Sequence, residues 1–265
     1  MRLTIVGADG KMGRELIKAI LEDQEITLAG AVAHKDSPYL DKDVGTMLSR
    51  EELGIIITND AMSAFQKSDA VIDFTRPEAS LAYVSCAADC GIAHIIGTTG
   101  FNKEEEIFLE KFSHKIPIVK SGNMSLGVNL LAALVKRAAA SLNAKDFDIE
   151  ITEMHHRYKV DSPSGTALLL GKVAAEGRGE DLQKIASFEH KLGEARQTGT
   201  IGFSAARGGT VIGDHSVIFA GENERVVLSH FAQDRSIFAL GALKAAFWAI
   251  KQKPGFYTMA DVLNL

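Results

Sequence analysis

Three side chains that can carry or move a proton and one permanent cation fall within five positions, as His155, His156, Arg157 and Lys159, and the chain continues Val160-Asp161-Ser162-Pro163-Ser164-Gly165-Thr166. Basic and imidazole groups at this density hold an anion, and a carboxylate is the guest that suits them. Imidazole has the side-chain pKa nearest neutrality, and a lysine among other cations gives up its proton more readily, so the same cluster can also transfer protons. A helix opening near Ser164 adds first-turn N–H groups and the positive end of its dipole. Pro163 sets the turn before that helix, and Ser162 or Ser164 can cap it. Gly165 lets a ligand approach the backbone, with the Thr166 hydroxyl beside it. Many basic runs are only solvated faces, and the helix start is what favours a binding site here. Adjacent histidines in an extended segment point to opposite faces and cannot share one ion, so no metal ligands are assigned.

The elements that must position this cluster begin far upstream. Residues 2–6 read as a short apolar strand running into Gly7-Ala8-Asp9-Gly10-Lys11-Met12-Gly13, then a helix with Met12, Leu16, Ala19 and Ile20 on one face. Strand, glycine loop and helix together predict a dinucleotide site, in which the glycines allow a pyrophosphate onto the helix N-terminus. The spacing is G-x-x-G-x-x-G, not the commoner G-x-G-x-x-G. A phosphoryl-transfer P-loop is disfavoured, because Lys11 is followed by Met12 where that motif needs Ser or Thr. Apolar strands are predicted at Ile26–Ala33, Gly54–Thr58, Ala70–Phe74, Ala93–Ile96 and Ile116–Val119, with helices such as Glu78–Asp89 and Lys103–Ser113 between them. This alternation implies an α/β, Rossmann-like, doubly wound parallel sheet, with ligands at the carboxyl ends of its strands. Thr75-Arg76-Pro77, Gly97-Thr98-Thr99-Gly100 and Ser121-Gly122-Asn123-Met124 lie at those ends and are predicted to line the cofactor.

After a helix over Leu126–Leu142 the pattern changes. Phe147–Met154 reads as a strand, the Ser164–Glu176 helix packs on its sheet, and Thr200–Ala206, Thr210–Ile212, Ser216–Ala220 and Arg225–His230 follow with short connections. A second, α+β domain with an open, mainly antiparallel sheet is expected. The last helix, Ser236–Ile250, is expected to return to the first domain. The division is therefore residues 1–126, completed by 236–265, for dinucleotide binding, and residues 127–235 for substrate binding and oligomerisation. Catalysis with loops on one domain and the basic cluster on the other calls for domain closure.

Composition narrows the class of function. With 29 basic and 34 acidic residues the net charge is −5, which argues against a nucleic-acid surface. No apolar run reaches membrane-spanning length, and the first residues enter a strand instead of a signal peptide, so a cytoplasmic protein without a membrane partner is expected. Cys86 and Cys90 read as reduced, buried small hydrophobes.

The chain resembles the dihydrodipicolinate reductase family over nearly its whole length. The resemblance rests on Gly7-Ala8-Asp9-Gly10-Lys11-Met12-Gly13, Asp73-Phe74-Thr75-Arg76-Pro77-Glu78, Gly97-Thr98-Thr99-Gly100-Phe101, Asn123-Met124-Ser125-Leu126-Gly127-Val128-Asn129 and, above all, His155 through Ala167. Arg207-Gly208-Gly209 and Gly213-Asp214-His215 add to it. The resemblance implies hydride transfer from NADPH or NADH to a cyclic, unsaturated dicarboxylate, with loss of water from a 4-hydroxy substrate. It implies His155 and Lys159 as the proton-transfer candidates, and His156, Gly165 and Thr166 as holders of a substrate carboxylate. Gly7, Ala8, Asp9, Gly10, Lys11, Met12, His34, Lys35, Gly97, Thr98, Thr99, Ser121, Gly122, Asn123 and Met124 would bind the cofactor. A homotetramer built through the second-domain sheet is implied as well.

A Rossmann site that prefers NADH carries an acidic residue at the end of the second strand. Ala33 stands where many relatives of this family have glutamate, with His34 and Lys35 after it, so NADPH is expected to be favoured; Asp36 is the competing carboxylate. The rival readings are another reductase of a small dicarboxylate and a non-catalytic dinucleotide sensor. A sensor does not need the basic cluster, and a short-chain dehydrogenase needs Tyr-x-x-x-Lys, whereas Tyr158 directly precedes Lys159.

Overall fold

The structure is a computed structural model that describes residues 1–189 and 193–265. The chain divides into two compact units, Met1–Leu126 with Ser236–Asn264, and Gly127–Arg235.

The first unit starts with β1 (Arg2–Val6), α1 (Lys11–Glu22), β2 (Thr27–Val32), α2 (Val44–Met47), β3 (Ile57–Thr58), α3 (Ala61–Phe65), β4 (Ala70–Asp73), α4 (Pro77–Cys90), β5 (Ala93–Ile96), α5 (Lys103–Glu110) and β6 (Pro117–Lys120). The second unit follows with α6 (Leu126–Ser141), β7 (Asp148–His155), α7 (Gly165–Gly177), α8 (Leu182–Ile185), β8 (Ala186–Ser187), β9 (Ile201–Arg207), β10 (Gly213–Ala220) and β11 (Arg225–Ala232). The chain then returns to the first unit through α9 (Ser236–Ala249), β12 (Gly255–Tyr257) and α10 (Met259–Leu263).

The first sheet has the order β12-β6-β5-β4-β1-β2-β3, and its pairings are parallel. Strands such as Ala70-Val71-Ile72-Asp73 and Ala93-His94-Ile95-Ile96 are buried throughout, as parallel strands covered on both faces must be. One face packs Leu3, Ile5, Ile72 and Ile95 against Leu16 and Ile17 of α1 and Ala242 and Ala246 of α9. The other packs Val6, Val71 and Ile96 against Phe65, Val84 and Leu109. Each fully buried Leu or Ile contributes about 1.5–3 kcal/mol by leaving water. In α9 the small residues permit close docking: a Cβ on Gly241 would overlap the carbonyl oxygen of Met124, so this helix fixes the backbone of the loop after β6.

Two elements differ from the pattern-based reading. Only Ile57 and Thr58 of the expected Gly54–Thr58 strand join the sheet. Gly54 turns at φ +73°, and the Asp43 carboxylate captures the N–H groups of Leu53 and Ile55 at 2.9 and 3.0 Å, which diverts the upstream half from the ladder. Conversely, Gly255-Phe256-Tyr257 adds an edge strand too short to show periodicity.

The second sheet has the order β11-β10-β7-β9-β8 and is mixed: β10 pairs antiparallel with β11 and β7, whereas β9 pairs parallel with β7 and β8. The parallel pairing is possible because the connection from β7 to β9 contains α7 and is long enough for a crossover. From β9 the chain steps across the end of β7 to reach β10. Gly208 N–H donates to His155 O at 2.9 Å and Arg157 N–H to Gly209 O at 3.3 Å, so the expected strand at Thr210–Ile212 is instead part of this crossing loop. Strand β7 alternates, with Ile149, Ile151, Glu153 and His155 on the face covered by helices. Ile149 and Ile151 join Val135 of α6 and Leu170 and Ala174 of α7 in the core.

Candidate active site

In the first unit, the carboxyl ends of β1, β4, β5 and β6 bring four loops together. Gly7 has φ +66°, and a Cβ there would lie 2.8 Å from Thr75 Cγ2. A Cβ on Gly13 would strike the Gly7 carbonyl oxygen, one on Gly97 would enter the Phe74 ring, and one on Gly122 would lie 3.8 Å from Thr99 Cγ2. At Gly7, Gly13 and Gly97 the backbone is therefore drawn as close as glycine permits, as a cradle for a pyrophosphate requires, whereas Gly122 makes only ordinary contact. Arg14 ties the glycine loop to the end of α2, donating to Asp9 O at 3.0 Å and Met47 O at 2.8 Å, and Ser37 Oγ donates to Asp9 Oδ2 at 2.6 Å.

Beneath these loops lies Asp73, fully buried at the end of β4. Its Oδ1 accepts from Thr75 N–H at 2.9 Å, Thr75 Oγ1 at 2.6 Å and Thr98 Oγ1 at 3.0 Å, while Oδ2 faces buried His94 Nε2 at 3.3 Å. Burial opposes its charge, but His94 and the surrounding hydroxyls hold its carboxyl below the usual carboxylate range.

In the second unit, Glu153 and His155 extend the buried register of β7 beyond its apolar half, toward the N-terminus of α7. His155 Nδ1 lies 2.6 Å from Glu153 Oε2. Arg207, at the end of β9, donates to both Glu153 oxygens at 2.8 Å, and Ser164 N–H donates to Oε1 at 3.1 Å. Burial again works against the charge, yet Arg207 and His155 keep the Glu153 carboxyl below its ordinary range. Ser164 caps α7 by accepting from Ala167 N–H at 3.1 Å, and its Oγ lies 2.9 Å from His215 Nε2. His215 stands edge-on to His155, ring centroids 5.0 Å apart.

His155 ends β7 and is linked to the start of α7 through Glu153, which accepts from Ser164 N–H; His156 and Lys159 lie in the loop between the two elements, and Gly165 and Thr166 open α7. Lys159 Nζ pairs with Asp161 Oδ1 at 2.9 Å. His156 Nδ1 is buried and has no hydrogen-bond partner among the described residues. A Cβ on Gly165 would meet nothing within 4 Å, so a ligand can reach the backbone there. Of the expected cofactor residues, Lys11, His34, Lys35, Thr99 and Gly122 are exposed, whereas Ala8, Thr98 and Met124 are buried. Met124 packs into the core and Thr98 joins the Asp73 network, so these loops offer a ligand mainly their backbone.

Sequence reasoning assigned no role to Glu153, Arg207, His215, Asp73 or His94. A carboxylate in the i, i+2 register of Ile149 and Ile151 was the available signal for Glu153. Nothing local in the sequence pairs it with Arg207, 54 positions away.

A parallel sheet in 3-2-1-4-5-6 order with a glycine loop at β1, in a chain whose other unit is a mixed sheet with His155 tied through Glu153 to a helix N-terminus, defines the class of two-unit NAD(P)-dependent reductases. The chain belongs to the dihydrodipicolinate reductase family: residues 1–124 match the family's N-terminal model and residues 127–263 its C-terminal model. It is 56% identical over 266 residues to the 4-hydroxy-tetrahydrodipicolinate reductase of Bartonella quintana (strain Toulouse), covering 100% of this chain and 98% of that one. To the enzyme of the same name from Brucella abortus (strain 2308) it is 53% identical, covering 100% and 99%. The fold is also that of a dipicolinate-bound dihydrodipicolinate reductase from Paenisporosarcina sp. TG-14, with TM-score 0.80, 24% identity and 98% of each chain covered.

Burial, reinforced by the neighbouring His155, pushes His215 down from 6.5 to about 4. Between those pH values the unfolded chain binds a proton at this position that the folded chain does not, so acidification favours unfolding. Stability is expected to fall progressively as pH drops from 6.5 toward 4. His215→Gln, which cannot take that proton, should flatten this part of the profile. Thermal melts of both proteins across the window check it; parallel pH profiles would show that His215 does not contribute.

Proposed function

We propose that the chain reduces 4-hydroxy-tetrahydrodipicolinate to tetrahydrodipicolinate with NAD(P)H, in the synthesis of diaminopimelate and lysine. The observation that carries this reading is the Glu153 carboxylate that joins His155 at the end of β7 to Ser164 at the N-terminus of α7, in one unit of a chain whose other unit has a glycine-lined loop cluster at the ends of its parallel strands. Unit one is then the dinucleotide-binding domain, and unit two the domain for substrate and oligomerisation. Gly7, Ala8, Asp9, Gly10, Lys11 and Met12 would hold the pyrophosphate, with Gly97, Thr98, Thr99 and Ser121 to Met124 beside the nicotinamide. That ring, when bound, supplies the hydride.

His156, Gly165 and Thr166 hold one substrate carboxylate at the positive end of α7. Hydride arrival on the electron-poor ring leaves negative charge that must be matched by a proton, and His155 and Lys159 form the pair that supplies it. Loss of the 4-hydroxyl as water completes the balance. The open face of the second sheet, where Val227 and Phe231 are 52% and 63% exposed, supports a homotetramer assembled through this sheet. The two free cysteines, Cys86 and Cys90, suit a cytoplasmic location, and among the described residues no helix is long and apolar enough to cross a membrane.

NADPH is the favoured donor in this reading. Ala33 is buried with its N–H bonded to Thr58 O at 2.9 Å, and it offers no carboxylate to the ribose. His34 and Lys35 are exposed beyond it, and Asp36 Oδ2 lies 3.3 Å from His34 Nδ1, engaged within its own loop. One charge-assisted contact to a 2′-phosphate contributes about 1–2 kcal/mol.

Reduction assays with freshly generated dihydrodipicolinate synthase product test the activity. His155→Ala and Lys159→Ala are each expected to lower turnover by about 10²–10⁴-fold while nucleotide affinity survives. Equal losses of nucleotide affinity would remove both residues from proton transfer. Efficiency with NADPH should exceed that with NADH by about 5–30-fold, the ratio set by 1–2 kcal/mol, and collapse in His34→Ala/Lys35→Ala. Equal or better use of NADH by the unmodified enzyme overturns the preference.

A further inference from the structure

Glu153 makes four hydrogen bonds with three residues: His155 Nδ1 at 2.6 Å, Arg207 twice at 2.8 Å and Ser164 N–H at 3.1 Å. An ionised carboxylate only accepts, and four bonds fill its lone-pair sites. The guanidinium and the amide are donors by chemistry, so His155 Nδ1 must also carry hydrogen. Only Nε2 is then left to take or give a proton. Gly213 makes room on that side, since a Cβ there would lie 2.9 Å from His155 Nε2.

We infer that Glu153 is a positioning residue for the reduction: it fixes His155 in the Nδ1–H form, with Nε2 as the single working nitrogen, while Arg207 holds the carboxylate in place. This rests on His155 being a proton-transfer group, as proposed above. The ionisable neighbours from the surrounding elements are consistent with it. On β9, Arg207 is committed to Glu153 and the Asp161 carbonyl; on β10, His215 is turned to Ser164; in the loop, Lys159 is paired with Asp161. None of these contacts engages His155 Nδ1.

The same carboxylate also anchors the residue that caps α7, through Ser164 N–H. Proton group and anion cradle are therefore referenced to one buried charge. Removing it leaves the Arg207 guanidinium facing a half-buried site without its partner, which is costly by itself. The decisive readout must for that reason be something other than stability.

Nitrogen NMR of the ring in the unmodified, substrate-free enzyme, with the signal assigned by its loss in His155→Asn, reads the tautomer directly. The inference expects neutral His155 to be protonated at Nδ1, and Glu153→Gln to shift the population toward Nε2–H. Kinetics of Glu153→Gln should show turnover reduced by at least about tenfold, with KM for the nucleotide changed less than about threefold. Should this variant fail to fold, Glu153→Gln/Arg207→Met, which leaves no unpaired charge, carries the same expectations. Neutral His155 found as Nε2–H in the unmodified enzyme overturns the inference, as does a folded variant that keeps more than half its turnover. Absence of reductase activity in the unmodified enzyme would instead refute the proposed function, and it leaves the tautomer measurement intact.

Discussion

The second unit depends on a carboxylate buried where its core should be apolar. Along β7 the covered face runs Ile149, Ile151, Glu153, His155, so the hydrophobic stripe turns polar halfway along. A charge there is tolerable only when fully solvated by protein donors, and the fold supplies them from three directions. Strand β9 must lie parallel beside β7 to end with Arg207 at the same level, and the register indeed pairs His155 with Arg207. The crossing loop must close over His155 O through Gly208 N–H, and α7 must begin at Ser164 to add its amide. The sheet order, the loop and the helix start are thus coupled to one side chain.

The first unit uses the same device at another strand end. Asp73 closes β4 as Glu153 nearly closes β7, and its bonds to Thr75 and Thr98 tie together the loops after β4 and β5. In both units a buried carboxylate, held ionised by donors, ties together the backbone that follows a strand end. The two carboxylates differ in what they face: Asp73 looks onto buried His94 and Glu153 onto His155. Only the second imidazole belongs to the cluster that the sequence marks as chemical.

Much of the first unit was legible because parallel strands buried on both faces are written as continuous apolar runs bounded by glycine loops. The failures there have physical causes. Asp43 intercepted the amides of an expected strand, and a three-residue edge strand carries no period. In the second unit, short connections suggested an antiparallel or mixed sheet, and β10 and β11 obey the antiparallel rule. The long crossover containing α7 sets β9 parallel to β7, which turn lengths alone do not reveal. The cluster from His155 to Thr166 was readable because its members are neighbours in sequence. The network beneath it was not, since Glu153, Arg207 and His215 meet only through sheet register.

In the function proposed above, the end of β7 and the start of α7 form a dicarboxylate cradle organised by Glu153. Titration of the isotope-labelled enzyme with dipicolinate, followed by amide NMR, tests it most directly. Saturable shifts are predicted to be largest at His156, Gly165 and Thr166, and to be strongly weakened in Glu153→Gln. Shifts confined to other regions, or none up to millimolar ligand, would contradict the account.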